Sequence, residues 1–156
     1  MHICFVCREY PPSLRGGGIA SYQKEMAYGL VTLGHKVTVI CASDNTRLES
    51  TIKEGNLTII RLKGGDFIIS AVEGHSKLKK LRTFYRYKSY RKRIRKTIEE
   101  IKGIDVIEVP EFGAEALYLQ DLQIPVVVRL HTPALMDHCT FGILPFNLHT
   151  AKYYWQ

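Results

Sequence analysis

The sequence predicts an α/β fold in which helices cover both faces of a mainly parallel β-sheet. Short apolar segments alternate with longer segments of helical periodicity along most of the chain. The apolar segments are continuous rather than alternating, which is typical of parallel strands buried on both faces. A glycine-rich loop joins the first apolar segment to the first helical one, as in a β-α-β crossover. Together these observations predict a three-layer domain.

The first crossover takes up the start of the chain. Residues 2–7 are apolar and predict a buried strand, and residues 36–42 predict a second one. Between them, residues 19–33 carry apolar side chains at helical spacing, and Gly34 is placed to end that helix. The predicted apolar face of the helix consists of Ile19, Tyr22, Met26, Leu30 and Leu33.

The middle of the chain contains one predicted strand and one long predicted helix. Residues 43–55 are polar and predict a loop, and residues 57–62 predict the third strand. Residues 67–72 form a short apolar segment without a clear assignment. Residues 76–101 have helical periodicity, and Gly103 is placed to end that helix.

The last part of the chain predicts two more strands. Residues 104–109 form the fourth strand, residues 114–122 a short helix and residues 124–130 the fifth strand. Residues 131–156 contain two prolines and a glycine, so they are predicted to be mostly loop, with a helix beginning near Asn147.

The size and composition fit a single cytoplasmic domain. The chain has 156 residues, which is enough for one complete hydrophobic core. No segment approaches the roughly 20 apolar residues that cross a bilayer. The first apolar segment is interrupted at Arg8 and Glu9, too early for a secretory signal. A reducing compartment is therefore expected.

The cysteines predict buried thiols rather than a redox or metal site. Cys4 and Cys7 have C-x-x-C spacing, but within a strand they point to opposite faces. A redox pair needs a helix N-terminus, and a zinc site needs further ligands at matching spacing. Cys41 and Cys139 add no ligand pattern, so no metal is expected.

The positive charge is concentrated in residues 77–96. The formal net charge is +7, yet the chain outside this segment carries eleven basic and fifteen acidic residues. The segment has three interpretations: a solvated helix face, a nucleic-acid surface with interleaved tyrosines, and a surface for an anionic membrane or anionic acceptor. No recognisable nucleic-acid motif accompanies the tyrosines, so no nucleic-acid partner is expected. The segment's basic residues are Lys77, Lys79, Lys80, Arg82, Arg86, Lys88, Arg91, Lys92, Arg93, Arg95 and Lys96.

The glycine-rich loop is the strongest candidate for a binding site. Three consecutive glycines leave no side chain between the main-chain N–H groups and a ligand. The helix that follows begins with unpaired N–H donors and a partial positive charge, which together suit a phosphate. The candidate residues in this loop are Gly16, Gly17, Gly18 and Ile19.

Two further groups of residues are predicted to share an edge of the sheet with this loop. Glu108 and Glu111 lie at or after the end of the fourth strand, and His131 follows the fifth. In parallel sheets, ligands bind outside the carboxyl ends of the strands. The sequence therefore predicts phosphate donors, carboxylates and an imidazole at one edge.

Two other interpretations of the loop stay open. It is compatible with a flexible surface loop without a ligand. A dinucleotide-binding fingerprint needs a third glycine where Ser21 stands, although Asp44 does lie near the end of the second strand. Neither a P-loop pattern nor a D-x-D pattern is present.

Several segments resemble the N-terminal domain of retaining GT-B glycosyltransferases of family four. The segments are EYPP with GGGIASY, GHKVTVI, IDVIEVPEFG and IPVVVRLHTP, which extend in order from Met1 to about Pro133. The resemblance implies a Rossmann-like domain on the acceptor side of such an enzyme, of which residues 1–156 are expected to lack the last elements. It implies transfer of a sugar from a nucleotide-diphosphate sugar to a hydroxyl of a glycan or lipid-linked acceptor, without a cofactor.

The resemblance also implies roles for individual residues. Gly17 and Gly18 match the loop near the donor diphosphate, and His131 matches a histidine that contacts the donor sugar near the reacting centre. Glu111 matches the acceptor side. The nucleotide-binding C-terminal domain with its E-x₇-E carboxylates is not in this sequence, so the chain is expected to be an inactive N-terminal part of the enzyme. The alternative is a non-catalytic module that binds a nucleotide or polyanion.

Overall fold

The computed structural model describes residues 1–13, 17–44, 48–64, 77–111 and 115–131 of the chain, with the backbone alone for residues 77–84. Three sequence-based assignments lie outside these residues: Gly16 as part of the binding loop, the unassigned segment 67–72, and the loop and helix after His131.

The described residues form a six-stranded sheet with helices against it. Two α-helices and one short 3₁₀ helix connect the strands. The strands are β1 His2–Val6, β2 Lys36–Ala42, β3 Ser50–Glu54, β4 Leu57–Leu62, β5 Val106–Pro110 and β6 Val126–Arg129. The helices are α1 Gly18–Thr32, α2 Lys77–Glu100 and the 3₁₀ helix Glu115–Tyr118.

The strand order places the carboxyl ends of five strands along one edge. The order is β3-β4-β2-β1-β5-β6, and all neighbours pair in parallel except β3 with β4. The chain first builds from β1 towards β4 on one side, and after α2 it continues with β5 and β6 on the other side of β1. The connections therefore diverge between β1 and β5, which is where open parallel sheets bind ligands.

Two hydrophobic cores lie on the two faces of the sheet, so the predicted three-layer α/β architecture is confirmed. Alternate residues of β1 and β2 enter opposite cores because strand side chains alternate between faces. On the α1 face the core includes Phe5, Val39 and Ile59. On the α2 face, Ile94 and Ile98 pack over the sheet.

The cysteines follow the same alternation. Cys4 is buried in the α2-side core, whereas Cys7 and Cys41 are buried in the α1-side core. All three are free thiols, and burial raises the pKa of Cys4 and of Cys41 to about 12. The prediction of buried structural thiols is confirmed for these three, and Cys139 lies outside the described residues.

The helix ends agree with the sequence. After α1, Gly34 adopts a φ of 84°, and its N–H donates to the Val31 carbonyl at 2.9 Å while the His35 N–H donates to the Leu30 carbonyl at 3.0 Å. This left-handed turn is open to glycine at little cost and satisfies carbonyls that the helix leaves unpaired.

Three details of the sequence prediction were wrong. Residues 43–55 include a strand, β3, which the sequence does not mark because all five of its residues are exposed. The helix predicted over 114–122 is a single 3₁₀ turn within the described residues. The predicted apolar face of α1 is only partly buried: Met26 and Leu30 pack against the core, but Leu33 is 74% exposed, and the fully buried residues are Ala20, Gln23 and Ala27. Small side chains there allow α1 to approach the sheet closely.

Candidate functional site

The N-terminus of α1 is open at the carboxyl edge of the sheet. Gly17 precedes the helix in an extended conformation, and the Ser21 N–H donates to the Gly17 carbonyl at 3.1 Å as the first helical hydrogen bond. No side chain caps the helix, and the first turn has no acidic residue. The N–H groups of this turn therefore remain available to an anion.

The glycines matter here for the space they leave rather than for their conformation. Gly17 has a φ of −119°, which any residue adopts, and Gly18 is helical. A Cβ atom added to either glycine would meet nothing within 4 Å. The described residues thus leave space above the first turn, as a phosphate cradle requires. Ile19, also predicted for this site, is partly buried in the first turn.

A carboxylate–arginine pair lies beside this helix end. Glu108 on β5 accepts two hydrogen bonds from Arg129 on β6, from Nε at 2.7 Å and from Nη2 at 2.9 Å. The pair forms because the two strands are parallel neighbours with Glu108 opposite Val127. Such bidentate pairs fix both partners in one geometry.

Tyr22 connects that pair to α1. Its hydroxyl donates to Glu108 Oε1 at 3.2 Å, and the Arg129 guanidinium lies 4.9 Å from the centre of its ring. Burial and the neighbouring Glu108 carboxylate raise the pKa of Tyr22. The phenol therefore stays protonated and continues to donate. Tyr22 is one helical turn after Gly18, so this contact ties the glycine loop to the end of β6.

His131 and Glu111 meet at the same place, twenty residues apart in sequence. The His131 main-chain N–H donates to Glu111 Oε2 at 3.0 Å, and the Glu111 N–H donates to the Arg129 carbonyl at 3.1 Å. The His131 ring packs edge-on against the Tyr22 ring, with centres 5.1 Å apart. Its Nε2 atom is buried without a hydrogen bond in the described part of the chain.

The structure brings together some of the residues that the sequence predicts for the site. Gly17, Gly18, His131 and Glu111 lie at one edge as expected, but the Glu111 carboxylate holds the His131 backbone, which the sequence does not indicate. Tyr22 was missed as a site residue because its helical spacing suggested a core position. Arg129 was missed as well, although a charge inside an apolar strand was the available signal.

The loop before α1 is held by contacts behind the site. Arg61, buried in β4, donates from Nη2 to the Tyr10 carbonyl at 3.0 Å. Ser13 donates to Asp44 Oδ1 at 2.8 Å, so the carboxylate considered for a dinucleotide ribose is engaged with the loop itself. These contacts fix the path of the chain at Tyr10 and Ser13.

A buried ion pair lies deeper in the α2 layer. Arg8 Nε lies 2.6 Å from Glu115 Oε1, and both side chains are almost inaccessible to solvent. The ring of Tyr87 on α2 lies between the Arg8 and Arg91 guanidinium groups, 5.2 Å and 5.0 Å from its centre. The pair links the residues that follow β1 to the 3₁₀ helix.

The basic helix α2 has both engaged and exposed cations. Arg91 is buried, Arg93 pairs with Glu49 at 3.0 Å, and Arg95 lies 2.8 Å from Glu99. The lysines at 88, 92 and 96 are exposed and recur at four-residue spacing on one face. Among the described residues no helix is long and apolar enough to cross a bilayer. Nor do the described His, Cys, Asp and Glu residues gather into a metal-binding group of three or more.

Comparison with protein families gives one match. The sequence profile described as Glycosyltransferase Family 4 covers residues 16–156. A search of curated proteins finds no match.

Several solved structures have a similar fold. Sucrose-phosphate synthase from Thermosynechococcus elongatus matches with a TM-score of 0.62 and 12% identity, over 88% of this chain and 35% of that one. The catalytic domain of starch synthase IV from Arabidopsis thaliana, bound to ADP and acarbose, matches with a TM-score of 0.54 and 12% identity, over 84% of this chain and 34% of that one. A structure described as "Trehalose-6-phosphate from E. coli bound with UDP-2-fluoro glucose" matches with a TM-score of 0.52 and 13% identity, over 85% of this chain and 33% of that one. The chain therefore spans about a third of the length of these structures.

Proposed function

The chain belongs to glycosyltransferase family 4, and from this premise we propose that the edge between β1 and β5 takes part in moving a sugar from a nucleotide-diphosphate sugar to an acceptor hydroxyl. The fold is that of the N-terminal domain of GT-B enzymes, so the resemblance found in the sequence is confirmed. One observation carries the proposal: the open end of α1 lies beside His131 where the connections diverge.

The main-chain donors of α1 supply the electrostatic part. Negative charge grows on the leaving diphosphate during transfer, and pre-positioned N–H groups stabilise it without reorganising. The open space over Gly17 and Gly18 lets a phosphate approach these donors closely. Two of the similar structures hold ADP or a UDP-sugar, which favours a nucleotide-diphosphate donor here as well.

His131 is the residue that we place nearest to the reacting sugar. Its ring is held by the edge contact with Tyr22, and its backbone by Glu111. The Nε2 atom is then a fixed polar group at the edge, suited to a sugar hydroxyl. We propose that the transfer proceeds with retention of configuration, as the resemblance implies.

We infer that sugar transfer also needs parts of the enzyme other than residues 1–156. The chain spans about a third of the length of the similar structures. We therefore propose that residues 1–156 expressed alone transfer no sugar, and that the full-length enzyme does. Because Cys4, Cys7 and Cys41 are unpaired thiols, we place the reaction in the reducing cytoplasm.

Replacing His131 tests the proposal. In the full-length enzyme, His131→Ala should lower kcat by about 100-fold, within the range for a group that acts on the reacting centre. The matched control is His35→Ala at the opposite edge of the sheet, which should leave kcat unchanged. The unfolding midpoint of both variants should stay close to that of the parent.

The alternative function makes a different prediction. A non-catalytic nucleotide- or polyanion-binding module would bind nucleotide but release no product with any sugar donor, in the full-length protein too. Near-normal turnover of His131→Ala would remove this residue from the mechanism, and absence of transfer by the full-length protein would overturn the proposal.

We also propose that α2 associates with anionic membranes, because its exposed lysines at 88, 92 and 96 form one stripe. Each basic residue near such a surface contributes about 1 kcal/mol, so the three together give about 3 kcal/mol of reversible attachment. The protein should sediment with vesicles of phosphatidylserine and phosphatidylcholine but not with phosphatidylcholine alone. Replacing the three lysines by glutamine should abolish the difference, and equal low binding to both vesicles would refute the association.

A further inference from the structure

A second concave site lies on the same edge of the sheet, on the other side of β1 from His131. The pocket has a volume of about 200 Å³ and lies between the end of β4 and α2. Among the described residues it is lined by Lys63, Gly64, Arg86, Ser89, Tyr90 and Arg93.

The lining is strongly cationic and partly exposed. Lys63, Arg86 and Arg93 contribute three positive charges. Lys63 and Arg93 share one carboxylate, since Glu49 Oε1 lies 3.0 Å from Arg93 Nη1 and 4.0 Å from Lys63 Nζ. The side chains of both cations are about 40% exposed, so a solute can reach them.

The backbone gives this cluster a fixed frame. Arg93 Nη1 also donates to the Lys63 carbonyl at 3.1 Å, which ties α2 to the end of β4. Gly64 follows with a φ of 90°, a conformation that favours glycine. Among the described residues, a Cβ atom at Gly64 would meet nothing within 4 Å.

We propose that this pocket binds a phosphate monoester. A guanidinium group matches two phosphate oxygens at once, and an ammonium group adds a point charge. The Ser89 hydroxyl is a further donor on the pocket wall. The Glu49 carboxylate occupies Arg93 and Lys63 when no ligand is bound, and a phosphate group replaces it. The inference depends on the pocket alone and not on sugar transfer.

The first experiment measures binding of inorganic phosphate and of glycerol 3-phosphate to the full chain by calorimetry at constant ionic strength. Lys63→Gln and Arg86→Gln should each weaken binding by about 10-fold, as expected for the loss of one charge-assisted hydrogen bond. The control Lys53→Gln removes an equal charge from an exposed position on β3 and should leave the affinity unchanged.

Glu49→Gln gives the sharper result because its expected sign is opposite. It removes the internal competitor for Arg93 and Lys63, so binding should become several-fold tighter. Equal affinity in all variants would show that phosphate binds non-specifically and would overturn the proposal. So would weaker binding by Glu49→Gln with an unchanged unfolding midpoint, or no binding by the parent protein.

Vesicles separate the two sources of such a phosphate group. Phosphatidate carries a monoester at a membrane surface, whereas glycerol 3-phosphate is free in solution. If phosphatidate vesicles bind more tightly, and Lys63→Gln removes that gain, the ligand is a lipid headgroup. If glycerol 3-phosphate binds as tightly as the vesicles do, the ligand is a soluble phosphate ester. Either result supports the pocket, and binding of neither compound overturns it.

Discussion

Two of the arginine–carboxylate pairs that join elements of the described chain lie in different surroundings. Arg8 and Glu115 are 8% and 1% exposed, whereas Arg129 and Glu108 are 40% and 12% exposed. A buried charge is costly unless its partner is present, so removing one member of the first pair should destabilise the fold. The second pair keeps contact with solvent, and its members remain accessible to a ligand. The difference separates a supporting pair from a pair that shapes the candidate site.

The largest expected effect is on the buried pair. Glu115→Gln should lower the free energy of unfolding by about 3 kcal/mol, because the Arg8 charge would stay buried without its partner. Urea denaturation measures the loss. Replacing both residues, as in Arg8→Met with Glu115→Leu, should destabilise less than Glu115→Gln alone. An equal or larger loss in the double variant would contradict this account of the pair.

Breaking the partly exposed pair of Arg129 and Glu108 should lower activity more than stability. Glu108→Gln should lower the free energy of unfolding by about 1 kcal/mol, less than the loss at the buried pair, since Arg129 keeps contact with solvent. In the full-length enzyme kcat should fall by about 10-fold, because Arg129 and Tyr22 lose the carboxylate that positions them. Steady-state kinetics and denaturation of the same preparation give both values. A stability loss as large as that of Glu115→Gln would remove the contrast between the pairs.

Substitutions of Tyr22 test whether its contacts with Glu108 and with His131 both matter for activity. Tyr22→Phe removes the hydroxyl that donates to Glu108 and keeps the ring that packs against His131. We expect a stability loss of about 1 kcal/mol and a kcat within a few-fold of the parent. Tyr22→Ala also removes the ring and should lower kcat much further. If both variants had the same kcat, the ring contact would have no part in positioning His131.

The smallest expected effect concerns a buried histidine whose pKa is lowered in the folded state. His2 is buried at the amino edge of the sheet, where Nε2 lies 2.8 Å from Thr38 Oγ1. Burial, together with the nearby Lys36 charge, lowers the pKa of His2. The unfolded chain therefore binds the proton first as pH falls, so the stability from neutral His2 is complete above about pH 6.5 and declines below it.

Denaturation between pH 7.5 and pH 5 (on the order of the window in which histidine titrates) measures this decline. The His2→Gln variant should show a shallower dependence on pH than the parent. Identical slopes would mean that His2 contributes nothing to the acid sensitivity.

Most of the layer structure could be predicted from the sequence, because continuous apolar segments and helical periodicity are local signals. The exception, β3, has five exposed residues and pairs only along its backbone with β4. Gly55 in the turn between β3 and β4 was the available signal in the sequence, and in the structure it has a φ of 58°. Polar edge strands lack the apolar pattern by which strands are recognised.

The site was harder to predict than the fold. Gly17, Gly18 and His131 follow strands, so the rule for carboxyl ends places them at one edge. The pairing of Glu108 with Arg129 depends on the register between β5 and β6, which no local pattern encodes. For the same reason the sequence could show that residues 77–96 are basic, but not which of their charges are engaged by other elements.

Chemical labelling of the three buried thiols, Cys4, Cys7 and Cys41, can report on unfolding of the protein. With a pKa of about 12, Cys4 has a thiolate fraction of about one in ten thousand at pH 8, so alkylating reagents react with it only when the fold opens. Cys4 and Cys41 lie on opposite faces of the sheet. In a chain with Cys139 replaced by serine, the order in which the thiols are labelled would reveal which helical layer separates from the sheet first.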